Sequence, residues 1–294
     1  MPTVHHTVAG ARERLRAAGI PPAEADLDAR LLAQFALGWE TERFFADAQD
    51  PTPAGFAERF EGLVARRAAR EPLPYLIGRC EFWNLSLEVM RAVLIPRPET
   101  ELIVETALEL FPDPAAPVRI ADACTGSGCL AVALALERPQ AHVTATDVSA
   151  AALEVARRNF QRHGVAERVV AIETDVLEAV RGTFDLIVAN PPYVSERDRP
   201  ALQPEVRDYE PSIALYGGGD GLAIMRRLVV QAVPRLEPGG VLLFECGFWQ
   251  SGEVGELIAA TPGLTMVDFQ LDLRGVPRMA LARRASGPRD DIHG

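Results

Sequence analysis

The sequence predicts an α/β protein: a mostly parallel, Rossmann-like sheet of seven strands, preceded by a small N-terminal helical bundle and a linking β-hairpin. Two observations carry this. From residue 118 onward short apolar runs alternate with helical stretches of about ten residues, the pattern of βαβ units. Before residue 75 apolar side chains recur at helical intervals and no long strand pattern occurs. The expected division is a helical domain over 1–75, a hairpin linker over 76–96 and the α/β domain over 97–294.

In the first segment the helical series is Leu15, Leu27, Leu31, Leu32, Phe35, Phe44, Phe45, Phe56, Phe60, Leu63 and Val64. Pro21-Pro22, Pro51 and Pro53 stand where helices should begin or end. Glu81-Phe-Trp-Asn-Leu-Ser-Leu-Glu-Val89 then alternates apolar and polar residues, and Val93-Leu-Ile95 comes after a break; together they read as a hairpin joining two domains. Thr100–Phe111 reads as an amphipathic helix, and the prolines between 112 and 117 make a stiff connector. Strands are expected at Val118–Ala123, His142–Thr146, Arg168–Thr174, Phe184–Ala189 and Val241–Glu245, with helices at Cys129–Glu137 and Ala150–His163. Leu264–Leu271 and Pro277–Ala282 should pair at the end of the sheet, and the polar tail 285–294 should fray.

Composition narrows the function. The 294 residues are 48% hydrophobic and 24% charged, which is ordinary for globular chains and excludes disordered, collagen-like and coiled-coil classes. The net charge of −11 repels phosphate backbones and disfavours direct nucleic-acid binding. Cys80, Cys124, Cys129 and Cys246 form no C-x-x-C pair and read as reduced thiols of a cytoplasmic protein. No apolar run approaches the roughly 20 residues of a membrane helix, and the charged N-terminus does not read as a signal peptide. No metal is expected, because His5, His6, His142, His163 and His293 lack ligand spacing.

In an open α/β sheet ligands bind beyond the carboxyl ends of the strands. After the first expected strand comes Asp122-Ala-Cys-Thr-Gly-Ser-Gly128, after the second Asp147, after the third Asp175 and after the fourth Asn190-Pro-Pro-Tyr193. Glycines let the backbone approach a ligand closely, although such a loop could also be only a tight turn. It does not match the P-loop pattern. Asp147 stands nineteen residues beyond Gly128, near the spacing of about 20 at which an acid reaches ribose hydroxyls, and it would serve equally as a helix cap. Loop and acid together favour a nucleoside cofactor, either NAD or S-adenosylmethionine (SAM). Asn190-Pro-Pro-Tyr193 separates them. Prolines remove donors and fix φ, so the Asn190 and Pro191 carbonyls and the Asn190 amide can accept from a planar group carrying –NH2, with Tyr193 as a flat wall. An amide nitrogen so held needs positioning more than a strong base to attack a sulfonium methyl.

These motifs resemble the class I SAM-dependent methyltransferases that act on amide or amino nitrogen. Leu94-Ile-Pro-Arg-Pro-Glu-Thr-Glu101, Glu71-Pro-Leu-Pro-Tyr-Leu-Ile-Gly78, Glu81-Phe-Trp83, Glu205-Val-Arg-Asp-Tyr-Glu-Pro211, the Gly217–Gly221 run and Arg274-Gly-Val-Pro-Arg278 are similar to the PrmC (HemK) family, over roughly residues 10–284. The resemblance implies an N5-glutamine methyltransferase of peptide-chain release factors, using SAM and releasing S-adenosylhomocysteine. Implied cofactor contacts are Asp122, Cys124, Thr125, Gly126, Ser127, Gly128, Asp147, Asp175, Val176 and Asn190, with Val176 at the adenine. Asn190, Pro191, Pro192 and Tyr193 would hold the glutamine of the Gly-Gly-Gln tip, and the N-terminal helices would help to dock the release factor. A monomer is expected. Cys124 replaces the family's usual first loop glycine, a departure shared with a sister family that methylates a ribosomal-protein glutamine. That substrate and adenine N6 are the alternatives, as is a non-catalytic module docking on the ribosome or a release factor.

Arg97, between prolines, is expected to form a structural ion pair. Residues 194–221 should form a partly ordered rim over the substrate cleft, and Glu245 should be structural.

Overall fold

A computed structural model describes residues 2–286 and divides the chain into two compact units. One holds the chain up to Arg79 together with Gln203–Tyr209; the other runs from Cys80 to Leu202 and resumes at Glu210. The frayed tail expected over 285–294 lies, from 287 onward, outside the described residues.

The first unit is helical: α1 (Val4–Ala17), α2 (Pro22–Leu37), α3 (Thr41–Asp47), α4 (Phe56–Ala68) and α5 (Leu73–Ile77). Pro22 opens α2 and Gly38, at φ 65°, ends it. Leu15, Leu32, Phe44, Phe56, Phe60 and Val64 make the core, whereas Leu27, Phe35 and Phe45 of the same apolar series stay exposed. Arg67 of α4 is 1% exposed. Its guanidinium donates to Asp28 at 2.6 Å, Glu24 at 2.7 Å and Glu205 at 2.9 Å. Glu205 lies on a short helix, Pro204–Tyr209, far away in sequence, and Tyr209 also donates to the Ala69 carbonyl at 2.6 Å. A planar cation with several donors suits three carboxylates at once. Removing it would strand buried charge.

The second unit opens on a hairpin, β1 (Arg79–Phe82) and β2 (Leu85–Glu88), turned by Trp83 and Asn84 at φ 52° and 56°. The turn therefore falls inside the 81–89 run, and 93–95 forms no strand. That corrects the expected hairpin: alternation alone does not reveal where a two-residue turn interrupts it. After a single 3-10 turn at Pro98–Thr100 come α6 (Glu101–Leu110), β3 (Arg119–Ala123), α7 (Cys129–Glu137), β4 (His142–Asp147), α8 (Ala150–Arg162), β5 (Val169–Glu173) and β6 (Phe184–Ala189). With Pro204–Tyr209 as α9, the remaining elements are α10 (Ser212–Leu215), α11 (Ala223–Ala232), β7 (Leu236–Glu245), α12 (Ser251–Ala259), β8 (Leu264–Leu271) and β9 (Pro277–Arg284).

The seven strands lie in the order β5-β4-β3-β6-β7-β9-β8. Neighbours from β5 to β7 are parallel; β9 runs antiparallel to both β7 and β8. Strand order reverses between β3 and β6, so a cleft opens beyond their carboxyl ends. Strand alternation feeds two cores. Ile120, Leu186 and Leu243 face α6, α7 and α8, while Ala121, Ile187 and Phe244 face α11 and α12. Every residue of α7 from Cys129 to Ala135 is buried, as suits a helix apolar all round.

β7 begins at Leu236, five residues before the expected start at Val241. Glu237-Pro-Gly-Gly240 reads as a turn but joins the strand through a register shift opposite Phe184 and Leu186. A Cβ on Gly240 would meet the Glu237 carbonyl at 2.9 Å, so the glycines permit the bulge.

Candidate active site

Four loops at the carboxyl ends of parallel strands wall one cavity of about 280 Å³. Its lining includes Cys124, Thr125, Gly126, Ser127, Asp147, Asp175, Val176, Asn190 and Pro192 of the sequence-predicted set. Asp122, Gly128, Pro191 and Tyr193 are not in the lining. Thr100, from the 94–101 motif, and Ile213 and Arg227, which no motif marks, also line it.

The loop between β3 and α7 owes its shape to left-handed backbone at Cys124 (φ 60°), Gly126 (55°) and Gly128 (81°). At Gly128 a Cβ would stand 2.6 Å from the Phe160 ring, so glycine is required. At Gly126 a Cβ would meet no protein atom within 4 Å, which leaves that backbone open to a ligand. Cys124 carries the left-handed strain of about 1–2 kcal/mol that a side chain brings there. Asp122 lies beneath the loop, fully buried. Its Oδ2 accepts from Thr125 Oγ1 at 2.6 Å and Ala131 N at 3.1 Å, while its Oδ1 has no partner among the described residues. Burial pushes its carboxyl up to about 7. Asn159 of α8, 0% exposed, donates to the Ser127 carbonyl at 2.8 Å and to the Glu88 carbonyl at 3.0 Å, tying loop to hairpin.

Asp147 lines the cavity, and the N-cap of α8 is Ser149 rather than Asp147. Asp147 Oδ2 accepts from Gly126 N and Oδ1 from Ser149 N, each at 2.9 Å, so the acid splints the loop while lining the cavity. Each oxygen keeps a second lone pair for a hydroxyl. Desolvation raises its pKa. Beyond β5, Val176 stands at φ 52°, an outlier for a β-branched residue. Its carbonyl accepts from Thr146 Oγ1 at 2.6 Å, and α11 clamps both sides: Arg227 pairs with Asp175, and Gln231 accepts from Leu177 N at 2.7 Å. A glycine loop, an acid on the next strand and a strained wall on the third fit a nucleoside.

The fourth wall is Asn190–Tyr193. Pro191 and Pro192 are buried, and Asn190 is half-buried. Asn190 Nδ2 donates to Thr100 Oγ1 at 3.0 Å, and Thr100 donates to Glu245 Oε2 at 2.6 Å. Tyr193 donates to Glu245 Oε1 at 3.0 Å. Thr100 and Glu245 are 1% and 4% exposed, so the bond between them is shielded from water. Burial raises the Glu245 carboxyl, and burial first, then the Glu245 charge, raises the Tyr193 phenol. Glu245, expected to be structural, thus bonds directly to Thr100, which lines the site.

Backbone hydrogen bonds tie part of the 194–221 segment together beside the loop. Val194 N donates to the Leu215 carbonyl at 2.9 Å and Gly217 N to the Val194 carbonyl at 3.0 Å. A Cβ on Gly217 would stand 2.5 Å from the Pro192 carbonyl, and one on Gly221 2.2 Å from the Tyr193 carbonyl. The glycine run thus exists to pack backbone on backbone behind the loop. Arg97 forms its expected ion pair, with Glu210 at 2.5 Å. Among the described residues no helix is long and apolar enough to cross a membrane, and no cluster of three His, Cys, Asp or Glu could hold a metal.

Comparison with known proteins agrees with this geometry. Residues 6–78 match the PrmC N-terminal domain family and residues 100–205 the methyltransferase small domain family. A release factor glutamine methyltransferase of Bradyrhizobium diazoefficiens is 42% identical over 273 residues, covering 92% of this chain and 91% of that protein. One from Xylella fastidiosa strain 9a5c is 45% identical over 258 residues, covering 87% and 92%. Among solved structures, the 16S rRNA N2 G1207 methyltransferase of T. thermophilus, in complex with AdoMet and guanosine, has a TM-score of 0.50 at 18% identity, over 71% of this chain and 49% of that one. That last likeness is one of fold.

Proposed function

This chain belongs to the release factor glutamine methyltransferase family, and we propose that it methylates the side-chain amide nitrogen (N5) of the glutamine in the Gly-Gly-Gln motif of peptide-chain release factors. SAM is the donor and S-adenosylhomocysteine the product. The observation that carries the reading is that Asn190 and Pro192 share a cavity with Gly126 and Asp147, so an amide and a nucleoside cofactor meet in one space.

When bound, SAM supplies an electrophilic methyl on a sulfonium. Thr125, Gly126 and Ser127 would hold it with their backbone, Asp147 would accept from its ribose and Val176 would wall its adenine. Pro191 and Pro192 lack N–H groups, so the loop presents acceptors and no competing donors there. The Asn190 amide commits its nitrogen to Thr100, which leaves Oδ1 for a substrate hydrogen. The Asn190 backbone carbonyl would take the other. With both hydrogens engaged, the nitrogen lone pair is the direction left free. Positioning of this kind, together with exclusion of water, supplies most of the barrier reduction that an amide needs. The N-terminal helical unit, residues 1–75, would help to dock the release factor, and the work would be cytoplasmic and monomeric. The acidic chain gives a nucleic-acid substrate no electrostatic help.

The test is direct. Purified protein, labelled SAM and a release factor should place label on the Gly-Gly-Gln glutamine and none on a Gly-Gly-Ala variant. Label on a ribosomal protein or an adenine, with the release factor blank, would replace this reading by one of its alternatives.

A further inference from the structure

We infer that Thr100 and Glu245 are positioning residues that dictate which end of the Asn190 amide faces the substrate, an inference that rests on the proposed function and deepens it.

Donors and acceptors decide the matter. An amide end is ambiguous: nitrogen and oxygen are nearly the same size, and rotation by half a turn exchanges a donor for an acceptor. Something must break that symmetry, because Asn190 presented nitrogen first would set N–H against the N–H of a substrate amide. A hydroxyl alone cannot break it, since Thr100 can donate or accept. Glu245 can. As a carboxylate it only accepts, and both its oxygens are in use, Oε1 by the Tyr193 phenol at 3.0 Å and Oε2 by Thr100 Oγ1 at 2.6 Å. The Thr100 proton is therefore spent on Glu245. What remains on Oγ1 is a lone pair, which only the Nδ2 end of Asn190 can satisfy, and the 3.0 Å contact is that bond. The polarity of one buried carboxylate is thus passed through one hydroxyl to the reacting pocket.

The three groups come from the 3-10 turn at Pro98–Thr100, the end of β6 and the end of β7, and none of the bonds is local in sequence. Burial makes the arrangement strict, because a mispaired donor shielded from water loses a hydrogen bond outright. The arrangement requires Glu245 to be ionised. Glu245 is raised by burial; besides Thr100 and Tyr193, the charges acting on it are Glu99, which raises it further, and Arg278, which lowers it. Protonated, Glu245 becomes a donor to Thr100, the hydroxyl is free to donate to Asn190, and the amide loses its reason to face oxygen outward.

The experiment compares wild type with Thr100→Ser, Thr100→Val and Glu245→Gln, using release factor carrying either Gly-Gly-Gln or Gly-Gly-Glu. Thr100→Val and Glu245→Gln should lower kcat by about 10–100-fold with KM for SAM unchanged, and Thr100→Ser should stay within about threefold of wild type. Glu245→Gln should also shift the binding preference toward the Gly-Gly-Glu form, by about tenfold, because a flipped Asn190 offers N–H to a carboxylate. A merely structural role would not move that ratio. If Glu245→Gln does not fold, the Thr100 pair decides. Equal kcat in Thr100→Ser and Thr100→Val, or a preference ratio unchanged in a folded Glu245→Gln, overturns the inference. A wild type that leaves the release factor unlabelled sinks the proposed function instead. The orientation is then read by NMR from the Asn190 side-chain NH2, whose exchange should be slow in wild type and fast in Thr100→Val, and equal exchange overturns it.

Discussion

The two halves of the cavity are made from different materials. On the cofactor side the working parts are backbone and shape: three left-handed residues within five positions, a splinting acid, and a strained valine held by a threonine and an α11 clamp. On the amide side they are side chains whose hydrogen bonds cross 90, 52 and 145 residues of sequence, in a network around Thr100 and Glu245. The first kind of site is intolerant of an added Cβ and indifferent to many side chains. The second is intolerant of a lost or reversed donor, and the glycine run packed behind it admits no Cβ at Gly217 or Gly221.

The largest effect should come from breaking the cofactor side. Gly128→Ala places a Cβ against Phe160 in a left-handed residue, and overpacking of about 1–3 kcal/mol adds to about 1–2 kcal/mol of backbone strain. Chemical denaturation should show the loss and SAM titration a matching drop in affinity; an unchanged midpoint would mean that α8 gives way freely. Asn190→Ala tests the other side. Transfer should fall by at least ~10²-fold, as for removal of one oriented group at a reacting centre, while SAM binding stays as in wild type. If SAM affinity falls in proportion, the two halves of the cavity are coupled rather than separable.

A pH series sharpens the contrast. The carboxyl of Asp122 is raised from 3.8 to about 7 by burial, so the folded state holds its proton more tightly than the unfolded chain does. Stability from this group is therefore complete in acid below the unfolded pKa and is lost as pH rises through about 7. Asp122→Asn, neutral throughout, should gain on wild type between those limits by up to a few kcal/mol. Parallel melting curves at all pH values would contradict it. The smallest change is Cys124→Gly. It relieves a left-handed side chain but adds about 0.5–1 kcal/mol of unfolded-state entropy, so stability should rise by less than about 1 kcal/mol, with SAM affinity little altered. A clear loss would show that the cysteine side chain packs usefully against the loop.

Much of this is legible in the chain alone. The ends of β6 and α7 fall where periodicity places them, because buried strands and an all-round apolar helix leave strong local signals. The glycine loop, Asp147, Asp175 and Asn190 each stand at the carboxyl end of a parallel strand, and all four reach the cavity. Tyr193 instead turns to Glu245, and Asp122 works from beneath. The early start of β7 is hidden because a bulge is written in turn residues.

What the sequence determined by itself is therefore the local geometry: which segments are strands and which residues stand at carboxyl ends. Such properties depend on neighbours within a turn or two of chain, and local sterics decide them. Only the tertiary structure decided that Thr100 and Glu245 belong to the amide corner, and that Gln203–Tyr209 packs with the N-terminal helices through Arg67. A hydrogen bond records the partner that folding brings within about 3 Å, and no periodicity in the chain announces a partner so distant in sequence.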